Sequence, residues 1–595
     1  MTSSSSTILV ESDLEWTIAS EIDASKIQAF QKQFPVSWWI AQILLLRDLQ
    51  NQEHLDKYFR PRFQSSHDPM KLKGMDKALE LLKEAIFQQK KIMVYGDYDV
   101  DGTTAVSMMS DFLWQHEATF IPYIPDRYEE GYGVSAKGID TAIEQGVHLL
   151  ITLDCGIRAV EHIERARTAG IDVIVCDHHE PGEALPKANA ILNPKQADCD
   201  YPFDGLSGAG VAFKLIHAFA IDQGYDDHYM ERFLDLLALS IAADIVPVID
   251  ENRTFLILGL QRLNSKDVRP GFKALLDAAK FSKEKVNLGD LLFVIAPRIN
   301  AAGRLKTGQL AVEVLRNRGD DLEALRKLAQ ELEETNQERR SLDEGITAEA
   351  LEQCTSNNFF GATHSNVVSG KEWHKGVVGI VASRLIESHY KPSIVLAEHD
   401  GVLSGSVRSI YGLDVHEALK DCSHLLDRFG GHTMAAGLSL ATANLAELRL
   451  AFDAAIKKQK PQLPKPSLLI SAELKPGDID KKSFVILENM EPFGPKNSRP
   501  LFLSKMVLLD PPFFMGKDRN HVKFKLGETE NSTTHFEAVH FKGGEKAKGL
   551  TKGSKIALVY SIERNDYKNQ STLQLRIRDW QTWTPHEYLV EEKES

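Results

Sequence analysis

Three short apolar runs in the first third of this chain each end on acidic residues. Ile92-Met93-Val94-Tyr95 leads into Asp97-Tyr98-Asp99-Val100-Asp101-Gly102, Leu149-Leu150-Ile151-Thr152-Leu153 into Asp154, and Val173-Ile174-Val175-Cys176 into Asp177-His178-His179. Runs this short, rich in β-branched residues, read as buried strands of a parallel sheet. From Asp76 onward the pattern alternates, with strands expected at 92–96, 119–124, 149–153 and 172–176 and helices at 103–115, 136–145 and 158–168. This is the alternation of a doubly wound α/β domain. It predicts that the acidic clusters share the carboxyl edge of the sheet, where open parallel sheets gather ligands.

Carboxylates mixed with imidazole at one edge suit Mn²⁺ or Mg²⁺ better than thiolate-preferring metals. The run from Asp97 also resembles the start of an EF-hand loop, but that loop needs a bidentate Glu at its twelfth position, where this chain has Met108. If 97–101 is an extended strand end, a period of two points Asp97, Asp99 and Asp101 to one face. Gly102 then opens the next helix, with Thr103-Thr104 as its cap, and the helix N-terminus offers free N–H groups to phosphate.

With 595 residues the chain has room for three or four domains. Its five cysteines, an odd number without a Cys-x-x-Cys pair, argue for a reducing, cytoplasmic compartment rather than a disulfide framework. Cys155 and Cys176 adjoin the acidic clusters but read as packing residues. No secretory signal is expected from Met1-Thr2-Ser3-Ser4-Ser5-Ser6, and no apolar run approaches the roughly 18 residues of a membrane span. The net charge of −14 does not exclude a nucleic-acid substrate, because local field rather than total charge governs steering. Residues 511–580 carry 13 Lys and Arg against 8 Asp and Glu, a local basic footprint.

Along the chain, 1–74 reads as a helical lead-in covering a flank of the first domain, and 231–243 as a helix that delivers Asp244. The stretch 320–353, rich in Leu, Ala, Glu and Arg, reads as one long helix or two, with Gly345 a potential break. Unbroken, it would span on the order of 50 Å, a strut between domains. A second α/β domain follows, with strands at 366–369, 393–397 and 402–407 and a helix at 376–388. Three prolines within 461–466 mark a linker. Strand candidates at 500–508, 522–526, 535–540, 555–560 and 573–577 then suggest an OB-like β-barrel. Its Phe513, Phe514, His521, Phe524, Tyr560 and Tyr567 are candidates for stacking bases or packing the core, and Lys517, Arg519, His521 and Lys523 for contacting a single strand.

The motif set resembles the DHH phosphoesterase superfamily, named for the Asp-His-His at 177–179, and specifically its single-strand-specific 5′-to-3′ exonuclease branch. Further segments carry the likeness in order: Pro125-Asp126-Arg127, Gly131-Tyr132-Gly133, Asn193-Pro194-Lys195, 206–210, 243–247, 297–304, 373–380, 404–409, Gly430-Gly431-His432 and Pro492-Phe493-Gly494. The resemblance implies a DHH-type catalytic domain at 75–255, a helical connector at 256–355, a DHHA1-type substrate domain at 356–459 and an OB-like domain at 467–585. It implies two divalent ions, Mn²⁺ or Mg²⁺, held by Asp97, Asp99, Asp101, Asp154, His178 and Asp244, with Asp154 bridging and Asp97 either a ligand or an orienting group. His179 would face the phosphoryl group or move a proton, and Asp177 would orient a histidine. Arg298, Asn300, Arg304, Ser406, Arg408 and His432 would hold substrate phosphates, since guanidinium forks suit phosphate.

The expected activity is hydrolysis of single-stranded DNA to 5′-mononucleotides in recombination and repair. A helicase and a single-strand-binding protein are candidate partners, no membrane is expected, and the chain is expected to be monomeric. Two alternatives are a phosphodiesterase of short oligonucleotides and a non-catalytic DNA-binding scaffold of the Cdc45 type.

Overall fold

The strand Ile92–Gly96 is buried along its whole length, as are Leu149–Leu153 and nearly all of Asp172–Cys176, because helices cover both faces of the sheet. In the computed structural model, which describes residues 6–8, 14–20, 22–355, 364–567 and 570–583, these strands belong to a five-stranded sheet. Its order is Phe120–Tyr123, Ile92–Gly96, Leu149–Leu153, Asp172–Cys176 and Ala190–Leu192, with every pairing parallel. The chain reverses direction across the sheet beside Ile92–Gly96, which makes this carboxyl edge a topological switch point. The fifth strand, Ala190–Leu192, is three residues long and carries too few side chains to show a period.

The start of the helix after the first acidic cluster differs from the expectation. It runs Val100–Gln115, and Asp99 is its N-cap, accepting from the Gly102 N–H at 3.0 Å. Asp101 is therefore in the first helical turn, and the period-two argument for a shared face does not apply to it. An aspartate three residues ahead of a Gly amide out-competes Thr103-Thr104 as the cap.

Residues 60–463 form one compact unit. The helix Leu322–Thr355 is continuous over 34 residues through Gly345. Leu325, Ala329 and Leu332 of its first half belong to the core of the first α/β domain. Ile346 and Ala350 of its second half pack with Trp373, Val378 and Val395 of the next. The strut is thus a shared core element at both ends. The second domain has a five-stranded sheet in the order Arg428–His432, Ala435–Ala441, Val402–Arg408, Ser393–His399 and Asn366–Lys371, of which only the last pair is parallel. Its expected start at 356 lies outside the described residues, as do residues 1–5 of the N-terminal serine run.

The second unit joins the N-terminal segment to the C-terminal one. Phe502–Leu508, Lys555–Tyr567, Gln570–Thr582, Phe536–His540 and His521–Gly527 pair in sequence, and Phe502–Leu508 also pairs with His521–Gly527, closing a five-stranded barrel. The lead-in is divided, which corrects the expectation in part: Phe63 and Leu72 lie in the core of the first α/β domain, whereas the described residues before Arg60 belong to the unit of the barrel. Glu15–Ile18 pairs in parallel with Ser467–Ile470, so the segment is not wholly helical. Trp39, Ile40, Ile43 and Leu44 of the helix Trp38–Leu46 pack with Phe502, Leu508 and Tyr560 of the barrel. Trp39 Nε1 donates to the Asp478 carbonyl at 3.0 Å and Gln42 Nε2 to that of Ser471 at 2.7 Å. A helix so apolar needs cover on nearly all sides, and the barrel supplies it.

Candidate metal centre and phosphate cleft

Asp97, Asp154 and Asp177 each directly follow one of the three central strands, so the sheet brings them to one edge. Asp154 takes a left-handed backbone conformation, φ 61°, which turns its carboxylate back over the edge. Gly208 permits this: a Cβ there would lie 2.5 Å from the Asp154 Cβ and Oδ1. Asp101 is held from the other side. Its Oδ2 accepts from the Gly208 N–H at 2.6 Å, and its Oδ1 from the Ala209 N–H at 2.9 Å and the Ser240 hydroxyl at 2.6 Å. The N-terminus of the helix Gly208–Asp222 thereby fixes the carboxylate. Asp244 caps the C-terminus of Leu234–Ala243.

His178 is the hub. Its Nε2 lies 3.1 Å from Asp154 Oδ1, 3.6 Å from Asp244 Oδ2 and 3.9 Å from Asp101 Oδ2. Ligand-capable atoms fall into two overlapping groups: Asp154, His178 and His179, and Asp101, His178 and Asp244. Neither group includes Asp97 or Asp99, although both add to the local negative field. His179 stands among the ligand-capable atoms, a position its expected substrate-facing role did not anticipate.

Three buried atoms here, Asp97 Oδ1, Asp154 Oδ1 and His178 Nε2, make no hydrogen bond among the described residues. Leaving such atoms unsatisfied costs roughly 1–3 kcal/mol each, more when charged. Burial, then the neighbouring carboxylates, hold Asp97 and Asp154 well above the usual carboxylate range. Asp244 is pushed up to about 9 by burial and then by Asp101 and Asp99. Burial keeps His178 below its ordinary value, hence neutral and able to donate a lone pair. Converging carboxylates and a neutral imidazole that lack compensating cations fit a hard divalent ion.

Asp177 is different. Its Oδ1 accepts from the His178 N–H (2.7 Å), the His179 N–H (3.1 Å) and His179 Nδ1 (2.7 Å), and its Oδ2 from the Ile157 N–H (2.9 Å). Burial would raise its pKa, but His179 and these amides outweigh that and lower it. Both oxygens are occupied, so the carboxylate orients the His-His pair rather than facing a ligand.

Opposite the carboxylates three arginines converge from three elements. Arg127 lies over the Tyr98 ring at 4.7 Å. Arg304, from the helix Ala296–Leu305, donates to the Gly376 carbonyl at 2.9 Å, and Tyr128 hydrogen-bonds the Arg304 carbonyl. Arg408 ends the strand Val402–Arg408. Burial, then Arg127, Arg339 and Arg408, lower Arg304 to about 10, and burial followed by Arg127 lowers Arg408. None of Arg127, Arg304 and Arg408 forms an ion pair with a carboxylate among the described residues. Arg127 has no site role in the sequence pattern; its basic field is visible only in three dimensions.

Ser406 lies near Arg408, both approaching the helix N-terminus at Gly379. Asn300 is half-buried on the Arg304 helix, and His432 is exposed on Arg428–His432. Arg298 corrects the expectation: it is buried, with Nε 2.6 Å from Glu333 of the long helix and a further bond to the Val294 carbonyl, so it ties helices together rather than meeting substrate.

On the barrel, Lys517 is exposed, and Arg519 lies over the Phe514 ring at 5.3 Å beside a cavity also lined by Lys542 and Lys548. His521 Nδ1 accepts from the Lys542 N–H, and Lys523 pairs with Glu537 at 2.6 Å. Phe513 is 65% exposed, whereas Phe524 and Tyr560 are buried in the barrel core and are removed from the base-stacking set. The ring of Tyr567 lies outside the described residues.

A carboxylate–imidazole centre at the edge of a doubly wound sheet, faced by Arg127, Arg304 and, from a second α/β domain, Arg408, defines a metal-dependent phosphoesterase of the DHH class. Residues 91–241 match the DHH family, N-terminal domain, 361–458 the DHHA1 domain, and 470–579 the RecJ OB domain. The chain is 36% identical over 579 residues to the single-stranded-DNA-specific exonuclease RecJ of Bacillus subtilis, covering 96% of this chain and 71% of that one. With the Escherichia coli RecJ it shares 34% identity over 527 residues, 85% and 90% of the two chains. The crystal structure of RecJ from Thermus thermophilus in complex with Mn²⁺ superposes with a TM-score of 0.81 at 26% identity, over 96% of this chain and 80% of that one. The chain belongs to the RecJ family of single-stranded-DNA-specific exonucleases.

Proposed function

We propose that the chain hydrolyses single-stranded DNA from the 5′ end, releasing 5′-mononucleotides in recombination and repair. The observation that carries this reading is the juxtaposition of unsatisfied buried ligand atoms with arginines that have no carboxylate partner among the described residues. Asp101, Asp154, His178 and Asp244 would hold Mn²⁺ or Mg²⁺, with Asp97 and Asp99 setting the field around them. When bound, the ions supply a nucleophilic water at neutral pH and neutralise phosphoryl charge.

The protein's own groups do the rest. Asp177 holds the His179 ring by its Nδ1, and the charged ring would donate from Nε2–H to a phosphoryl oxygen. Arg304, Arg408 and Arg127 orient the phosphates of the strand and draw them into the cleft, while Ser406 leaves room for a backbone. Strand selectivity comes from a cleft too narrow for a duplex, and retention on the strand from Lys517, Arg519, His521 and the exposed Phe513 of the barrel.

The chain works as a monomer in the cytoplasm, alongside a helicase that exposes single strands and a single-strand-binding protein that covers them. In support, all five cysteines are free, and among the described residues no helix is long and apolar enough to cross a membrane.

The test is digestion of a single strand labelled at its 5′ or its 3′ end, with Mn²⁺, Mg²⁺ or EDTA. The expected result is early release of the 5′ label as a mononucleotide, abolished by EDTA; early release of the 3′ label would contradict the polarity. Arg408→Ala is expected to weaken strand binding by about 1.5–3 kcal/mol, the range for a charge-assisted hydrogen bond, and to leave Mn²⁺ affinity unchanged. Anisotropy and calorimetry check the two halves.

A further inference from the structure

A second cluster of arginines lies at the end of the first α/β domain remote from the metal centre. Three helices join the two places. Val100–Gln115 carries Asp101 in its first turn and Gln115 as its last residue. Gly208–Asp222 starts at the amides that hold Asp101 and ends two residues before Gly224. Leu234–Ala243 starts two residues after Arg232 and ends at Asp244. At 1.5 Å per residue, Asp101 and Gln115 stand about 20 Å apart along their helix.

The far ends of these helices border a cavity of about 730 Å³, lined by Tyr225, Tyr229, Arg232 and Arg262 with the exposed Asp226 and Asp267. Small-molecule sites span about 300–1,000 Å³. Tyr225 is 43% exposed, and its ring stacks on that of Tyr229 at 4.7 Å. The Tyr229 hydroxyl is fixed by His116 Nε2 at 3.0 Å. The Arg232 guanidinium lies over the Tyr229 ring at 5.4 Å and donates to the Gln115 side chain, and it makes no ion pair among the described residues. Behind it three arginines share two buried carboxylates. Arg262 and Arg269 approach Asp235 at 3.6 Å and 3.5 Å, and Arg269 and Arg318 meet Asp111. Four guanidiniums against two buried carboxylates leave positive charge beside a part-exposed aromatic ring. Of the exposed acids, Asp226 is committed to the Tyr229 N–H at 3.2 Å.

We propose that this cavity binds a nucleoside 5′-monophosphate, with the phosphate on Arg232 and Arg262 and the base against Tyr225. Guanidinium forks suit phosphate, and every base offers a face to a tyrosine ring. Molecules of this class are what the proposed hydrolysis releases, but occupancy of the cavity does not depend on that reaction.

Hydrogen exchange of the full chain in EDTA, during titration with deoxyadenosine 5′-monophosphate, reads the site apart from the cleft at Arg408. Amides of 224–232 are expected to gain protection along a saturable curve. The midpoint should rise about tenfold or more in Arg232→Gln, which loses a charge-assisted contact, and about fivefold or more in Tyr225→Ala, which loses the stacking ring. Arg408→Ala should leave it within about twofold. Inorganic phosphate should protect the same amides only at about tenfold higher concentration, and deoxyadenosine should not protect them. Tyr225→Ala changes a part-exposed ring and carries the test if Arg232→Gln lowers the thermal midpoint. Protection absent from 224–232, or lost in Arg408→Ala, would overturn the site. Midpoints unchanged in both cavity variants would overturn it too, and phosphate binding as tightly as the nucleotide would overturn the role of the tyrosine.

Discussion

Asp154→Ala is expected to lower cleavage of a single strand by well over tenfold while the protein stays folded. A tenfold loss corresponds to about 1.4 kcal/mol of transition-state stabilisation, and removing a ligand atom shared by the site should exceed it. The fold should tolerate the change for two opposed reasons. Alanine at φ 61° bears the roughly 1–2 kcal/mol cost of the left-handed conformation without the short polar side chain that eases it for aspartate. Against that, the variant removes a buried carboxylate that burial and four neighbouring aspartates hold far above its ordinary pKa. Turnover with Mn²⁺ and the thermal midpoint in EDTA check both statements. Retention of more than about a tenth of wild-type turnover would mean that Asp154 does not hold a metal.

The second large effect concerns where the chain can be cut. A chain ending at Leu463 is expected to aggregate, although every candidate catalytic residue lies upstream. Trp16, Trp39, Ile40, Ile43 and Leu44 are all at most 2% exposed and pack on residues after 463. Uncovering side chains of this kind costs about 1.5–3 kcal/mol each, together on the order of 10 kcal/mol, comparable to the whole stability of a domain. A chain of residues 60–463 removes the orphaned segment as well. It should stay dispersed and hydrolyse short oligonucleotides with Mn²⁺, and it should bind long strands more weakly with a shallower salt dependence, because phosphate contacts of the barrel are gone. Size exclusion and salt-dependent binding decide this. A well-dispersed 1–463 chain with hydrogen-exchange protection at 38–46 would contradict the packing described.

The parallel sheet was legible because its strands are buried on both faces and read as continuous apolar runs, which also placed Asp97, Asp154 and Asp177 at one edge. The details that failed depend on contacts remote in the chain. Nothing local to 97–102 distinguishes a strand end from a helix start, and the Asp99 cap decides it. Arg298 and Glu333 are 35 positions apart on different helices, so a guanidinium that looks available for phosphate is already paired. The apolar helix at 38–46 announced that it must be covered, but its cover comes from more than 400 positions later. One signal was present and unused: Val522, Phe524 and Leu526 alternate with Lys523 and Lys525, a period of two that puts Phe524 inside the barrel. Arg304 and Arg408 were legible through the resemblance, but their convergence with Arg127 left no pattern of spacing, because it joins residues from a loop, a helix and a strand that only the fold brings together.

The central claim is that Asp101, Asp154, His178 and Asp244 form a divalent-metal centre. Calorimetric titration of Mn²⁺ into the metal-free chain, beside Asp154→Ala and His178→Ala, tests it directly. The account predicts saturable binding to the wild-type chain, lost or weakened more than about tenfold in both variants, a difference above about 1.4 kcal/mol. Equal Mn²⁺ affinity in all three proteins would contradict it.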